Sequence, residues 1–215
     1  MGTRRQQKTF WSRSIKFFLV AGAFASIGAV CAQNVIINGD FETGPFETNG
    51  VVTDWIVSGN VGDVSGQGAT SPTHAAAFSL GHDSQGDSIS QTFATQSGQD
   101  YTVEFDAGVY GVRDAAPLQL RMQVFGAGMG TLQDQTVTPP DVGSFNPAVF
   151  AHYSFNFTAD ATSTTLQFTD VGSGNASADV MLDTVSVAAV PEPSVWMLML
   201  LGVPVFRVIK NSRPA

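Results

Sequence analysis

The chain has 215 residues, 43% of them hydrophobic, and a formal net charge of −8, which suits one folded domain with appendages. The charges are segregated: residues 33–190 hold only Arg113 and Arg121 against seventeen Asp and Glu, a formal charge of −15 for that span. A body that acidic repels phosphate backbones and excludes a nucleic-acid partner, and the single cysteine, Cys31, excludes a disulfide framework.

Residues 1–32 read as a signal peptide. Arg4, Arg5, Lys8, Arg13 and Lys16 make a basic start, and Phe17 to Val30 is a run of fourteen apolar or small residues. That run is short for a bilayer span and right for the apolar core of a leader. Val30-Cys31-Ala32 supplies small residues for cleavage before Gln33. Val30 stands where a lipoprotein needs Gly, Ala or Ser, and Gln7 stands where twin-arginine export needs an apolar residue, so general secretory export is expected.

From Asn34 the pattern changes to period two. Tyr101-Thr102-Val103-Glu104-Phe105-Asp106, Leu118 to Val124, Tyr153 to Thr158 and Thr165-Leu166-Gln167-Phe168 alternate apolar and polar residues. Alternation of this kind marks half-buried antiparallel strands. Gly, Asn, Asp, Ser and Pro clusters separate them, as at Ser97-Gly98-Gln99-Asp100 and Thr138-Pro139-Pro140-Asp141. Strands are predicted near 34–37, 55–58, 61–64, 75–80, 88–94, 101–109, 117–126, 131–137, 149–158, 163–170 and 179–188. No segment between 33 and 190 has a helical period. Short strands at this spacing predict an all-β sandwich over 33–189. Phe78, Phe93, Phe105, Phe125, Phe155, Phe157 and Phe168 are expected between its sheets.

The last segment, 190–215, differs again. Pro191-Glu192-Pro193 is a stiff, extended break. Val195 to Phe206 is apolar, and Arg207, Lys210 and Arg213 follow. Twelve helical residues rise only about 18 Å, so this is a short transmembrane helix whose basic end would stay cytoplasmic. The order Pro-Glu-Pro, apolar helix, basic terminus resembles the PEP-CTERM sorting signal of Gram-negative bacteria. That resemblance implies an exosortase-type membrane protease as partner, with Pro191, Glu192, Pro193 and Arg207 as its sorting motif. It also implies an inner-membrane-anchored intermediate, and then delivery to the cell surface or extracellular matrix.

The body carries a second resemblance. It opens on Asn38-Gly39-Asp40-Phe41-Glu42 and closes on Leu182-Asp183-Thr184-Val185-Ser186-Val187. This pair of phrases is similar to galactose-binding-like jelly rolls, which include carbohydrate-binding modules. With Ile89 to Phe93, Gly98 to Asp106 and Ser163 to Phe168, the span also resembles the choice-of-anchor C family. The resemblance implies a jelly-roll β-sandwich, a surface location and an interaction with extracellular polysaccharide. It further implies a structural calcium held by Asp40 or Glu42 with Asp183, hard oxygen donors of the kind this cation takes. Asp40 equally suits a turn, and Asp183 a strand edge. A sugar platform needs an aromatic face; Tyr110, read as lying in a loop, and Trp55 are the candidates, although Trp55 equally suits the core.

Catalytic constellations are not visible. His74, His82 and His152 are scattered, and there is neither a Gly-x-Ser-x-Gly elbow nor a phosphate loop. The chain reads as non-enzymatic. A structural or adhesive matrix role without a small ligand is the alternative, and a secreted glycan hydrolase needing two facing carboxylates is a weaker one.

Overall fold

The computed structural model describes residues 33–80, 85–112, 117–143, 145–172 and 177–191. The expected leader and apolar tail lie outside the described residues, as do Glu192, Pro193 and Arg207; Pro191 is the last residue inside. No helix among the described residues is long and apolar enough to cross a membrane.

Ten strands form among the described residues: β1 Ile56–Ser58, β2 Val61–Ser65, β3 His74–Phe78, β4 Ser88–Ala94, β5 Asp100–Gly111, β6 Leu120–Phe125, β7 Thr131–Val137, β8 Ala151–Thr158, β9 Ser163–Asp170 and β10 Ala178–Ala189. The predicted spans 88–94, 131–137 and 163–170 match to the residue. The strands form two five-stranded antiparallel sheets, β1-β4-β9-β6-β7 and β2-β3-β10-β5-β8. Every strand but the β2–β3 and β6–β7 hairpins is followed by one in the opposite sheet, so the chain winds around the core as a jelly roll does.

The alternation explains the packing. In β9, Thr164, Leu166 and Phe168 turn inward, while Ser163, Thr165, Gln167 and Thr169 turn outward. The ring of Phe105 from β5 meets Phe168 of β9 edge-on at 4.9 Å, joining the two sheets. Phe78, Phe93, Phe157 and Phe168 are buried as expected, and Phe155 packs partly buried against the core. Phe125 does not join them. Leu120, Met122 and Val124 take the inward positions of β6, and a period of two then puts the next residue on the opposite face. A register shift in the β6–β7 pairing falls between Val124 and Phe125.

The predicted strand 34–37 is extended chain rather than a ladder partner. It touches β10 through one backbone bond, Val35 N–H to Val187 O at 2.9 Å, while Asn34 Oδ1 accepts from Val187 N–H. The Gln91 side chain takes both backbone groups of Ile37, at 2.8 and 2.9 Å, so a neighbouring strand has nothing left to pair with there.

The second sheet is covered at one end. The Thr138-Pro139-Pro140-Asp141 turn leads into a segment that lies on its outer face, with Val109 N–H bonded to Pro140 O and Val109 bridging Asp141 in parallel. A Cβ on Gly108 would stand 2.7 Å from Val149 O, so only glycine admits the segment this closely. Beneath it Val64, Ala75, Ala77 and Met181 form a second small cluster. Burial on both faces is why Ala75-Ala76-Ala77-Phe78 is apolar without alternation.

Candidate functional site

Each residue of the opening phrase 38–42 has a separate task. The Asn38 side-chain amide donates to Thr43 O and Thr53 O, and the Asn38 backbone carbonyl accepts from Trp55 Nε1. Gly39 lies against the last strand: a Cβ there would sit 2.0 Å from Val185 O, and Gly39 O accepts from Val185 N–H at 2.8 Å. Phe41 is fully buried beside Trp55. Asp40 supplies its carbonyl, which accepts from the Ser71 hydroxyl at 2.8 Å; its carboxylate is exposed.

Glu42 and Asp183 are brought together through the 70–74 loop. Glu42 Oε1 accepts from Thr73 N–H at 2.7 Å and His74 N–H at 2.8 Å, and its Oε2 accepts from the Thr73 hydroxyl at 2.7 Å. Asp183, wholly buried, accepts from Thr70 N–H at 2.6 Å and Ser71 N–H at 2.8 Å on one oxygen, and from Thr184 N–H on the other. Burial pushes Glu42 upward, but the N–H and hydroxyl donors of Thr73 and the His74 donors outweigh it and hold the carboxyl at about 2. For Asp183 burial wins, and its carboxyl is raised despite the N–H groups of Ser71, Thr184 and Thr70.

The Ser71 hydroxyl sits 2.8 Å from Asp40 O, 3.2 Å from Glu42 Oε1 and 3.0 Å from His74 O. It has one proton for three acceptors. That surplus of oxygen fits a hard cation. Among the described residues, however, no three His, Cys, Asp or Glu side chains form such a group. Any cation would therefore rest on the Asp40 and His74 carbonyls with Glu42, and Asp183 serves to hold the loop.

Sequence reasoning missed the loop donors Thr70, Ser71 and Thr73, since nothing local marks a Ser or Thr as a partner for residues far along the chain. It also missed Asp63. This carboxyl is fully buried on β2, and neither oxygen has a hydrogen-bond partner. Burial raises it to about 7, with His74 opposing and Glu42, Glu47 and Asp183 adding to the rise.

The two aromatic candidates separate. Trp55 is 7% exposed, packs against Phe41 and Phe168 and offers no face to a sugar; its core alternative holds. Tyr110 is not in a loop but near the end of β5, half-buried under the covering segment, and meets Phe145 edge-on at 5.8 Å. Phe145 is the exposed ring of that pair, at 63%.

The outer face of the first sheet is different in chemistry. Register places Ser90, Gln167, Gln123 and Asp134 in one cross-strand row, and Ser88, Thr169, Arg121 and Thr136 in the next. A third row runs Thr92, Thr165, Phe125. Thr92 and Thr165 hydroxyls bond at 2.8 Å. Arg121 Nε donates to Asp134 at 2.8 Å, and the guanidinium and carboxylate form an ion pair. On the second sheet, Asp106 accepts from His152 Nδ1 at 2.8 Å and from the Thr184 hydroxyl at 2.7 Å.

Two antiparallel sheets with aromatic residues packed between them, joined by the contact of residues 38–42 with the last strand, define a jelly-roll β-sandwich. The fold is shared with TmCBM61, solved in complex with β-1,4-galactotriose, at a TM-score of 0.54 and 20% identity, covering 74% of this chain and all of that one. Weaker likenesses include the N-terminal cellulose-binding domain of a Cellulomonas fimi β-1,4-glucanase, at a TM-score of 0.46, 19% identity, and 74% and 99% coverage. Another is the CBM22-1 xylan-binding domain of Paenibacillus barcinonensis Xyn10C, at 0.43, 16%, and 75% and 99%. Residues 34–188 match the family described as "Protein of unknown function (DUF642)", and the chain belongs to that family. No curated protein matches it.

The shifted carboxyls set a pH profile. Asp63 rises from 3.8 to about 7 on folding, so the folded state binds a proton that the unfolded chain has lost, and stability falls as pH climbs between those values. Glu42 drops from 4.5 to about 2, so its contribution is present above 4.5 and fades as pH falls toward 2. Thermal melts in calcium-free buffer are expected to peak near pH 4–5. Asp63→Asn should make the neutral-side decline shallower, raising the melting temperature at pH 7.5 by roughly 5 °C. Asp170 and Asp183, also raised by burial, would keep part of the slope. An unchanged decline in the variant would exclude this role for Asp63.

Proposed function

We propose that this chain is an exported, non-enzymatic protein of the cell surface or extracellular matrix whose sandwich binds polysaccharide. The observation that carries the reading is the fold likeness to a carbohydrate-binding module along that module's entire length. An open sheet face of hydroxyl and amide groups supports it, because such groups both donate and accept, as sugar hydroxyls do. A polysaccharide array probed with the purified protein is expected to give saturable binding to at least one glycan. Absence of binding across the array would leave the structural or adhesive alternative.

Export and sorting rest on the two chain ends. Both leave the body at one place: Val35 bonds to Val187 near the end of β10, and Val190 N–H bonds to Asp100 O just beyond it. The ten strands of the described residues lie between Ile56 and Ala189. The exosortase reading predicts that protein recovered from its producer has an intact mass starting at Gln33 and ending near Pro191 to Pro193. A mass retaining Arg207 and the residues after it would count against sorting.

Calcium belongs to the same proposal as a staple, not a reactant. It would bring opposite charge to Glu42 and the two carbonyls around Ser71 and stiffen the 70–74 loop. Chelation is expected to lower the melting temperature and added calcium to restore it. A melting temperature indifferent to both would remove calcium from the account.

A further inference from the structure

The acidic residues of the body are not evenly spread over its surface. The outer face of the second sheet carries Asp100, Glu104 and Asp106 along β5. Its far end is covered by Ala148 and Phe150. The outer face of the first sheet has only Arg121 and Asp134 as charges in its three rows, and they neutralise one another. In a span of formal charge −15, this is a broad neutral surface.

Its geometry is regular. Neighbouring strands stand about 4.8 Å apart, and outward residues along a strand about 6.6 Å apart, so four strands give a hydrogen-bonding grid roughly 14 Å across. Gln167 spends one donor on Thr169, and Gln123 one on Asp134. Ser90 and Thr136 have no side-chain partner among the described residues. Phe125 is the one ring in the rows, and it is half-buried.

We infer that this face is where a glycan lies, and that the glycan is an uncharged polysaccharide held by hydrogen bonds more than by ring stacking. The inference rests on the polysaccharide reading above and adds the face and the ligand class. Hydroxyl and amide groups match sugar hydroxyls in either orientation, whereas carboxylates only accept. A uronate or sulfated chain laid on the same rows would enter the field of the surrounding carboxylates, which reaches about 8–10 Å in physiological salt. A neutral chain meets no such barrier.

The test uses full-length protein with β-1,4-galactan, xylan and cellulose as uncharged probes, and polygalacturonate and alginate as charged ones. The wild type is expected to bind an uncharged probe and to bind the charged ones at least tenfold more weakly. Q123E/Q167E should weaken the uncharged complex at least tenfold with its melting temperature kept. Q123A/Q167A, which adds no charge beside Asp134, should weaken it severalfold. Ser154→Glu, on the opposite sheet, should leave it unchanged. Preference for a charged probe, or full binding by both glutamine variants, would overturn the assignment while leaving polysaccharide binding intact. Failure of the wild type to bind any probe would overturn both.

Discussion

The structure depends on the contact between its first ordered turn and its last strand. Gly39 and Val185 approach so closely that no side chain fits between them, and one backbone bond seals the approach. Around that contact Glu42 and Asp183 each take two backbone N–H groups of the 70–74 loop. Three stretches remote in sequence are thereby fixed at one place. The buried rings of Phe41 and Trp55 follow from it, since both hang from the turn that Asn38 organises.

The same clamp shows how carboxylates are buried in a strongly acidic body. Asp183 is met by backbone N–H groups of Thr70, Ser71 and Thr184. Asp170 accepts from Ser79 Oγ and Gly172 N–H, each at 3.0 Å. Charge-assisted bonds of this kind offset much of the desolvation cost. Burial still raises Asp170 and Asp183, and Asp63, with no such donor, is raised to about 7. With acid gathered around the clamp and on the second sheet, the first sheet's outer face carries mainly Ser, Thr and Gln, together with the Arg121–Asp134 pair, Phe125 and Ile56. Neutrality of one face and acidity of the other come from one chain, by the alternation of its strands.

Most of the architecture was legible because the period-two signal is a direct consequence of strand geometry. Strands β4, β7 and β9 were readable to the residue. The alternation in β6 and β9 separates Arg121, Gln123 and Gln167 from their apolar neighbours. What it could not show was that these residues share rows, since register is set by pairing between strands. The misplacement of Phe125 has the same root. An aromatic residue reads as core until the parity of Leu120, Met122 and Val124 is imposed on it. Tyr110 read as a loop residue because Gly108 and Gly111 surround it, yet those glycines serve close approach of other backbone to β5.

By itself the sequence determined the all-β class of the body, its anionic character, the absence of a disulfide framework and the two phrases that open and close it. These depend on composition and on neighbours one to five residues apart, which the chain displays in order. Tertiary structure alone decided that Asp40 offers its carbonyl to Ser71, that Ser71 stands among three oxygens, that Asp63 is buried without a hydrogen-bond partner, and that the neutral rows form one surface. Each of those depends on contacts between residues tens of positions apart. Strand pairing and the docking of loops on the sheets bring such residues within hydrogen-bonding distance.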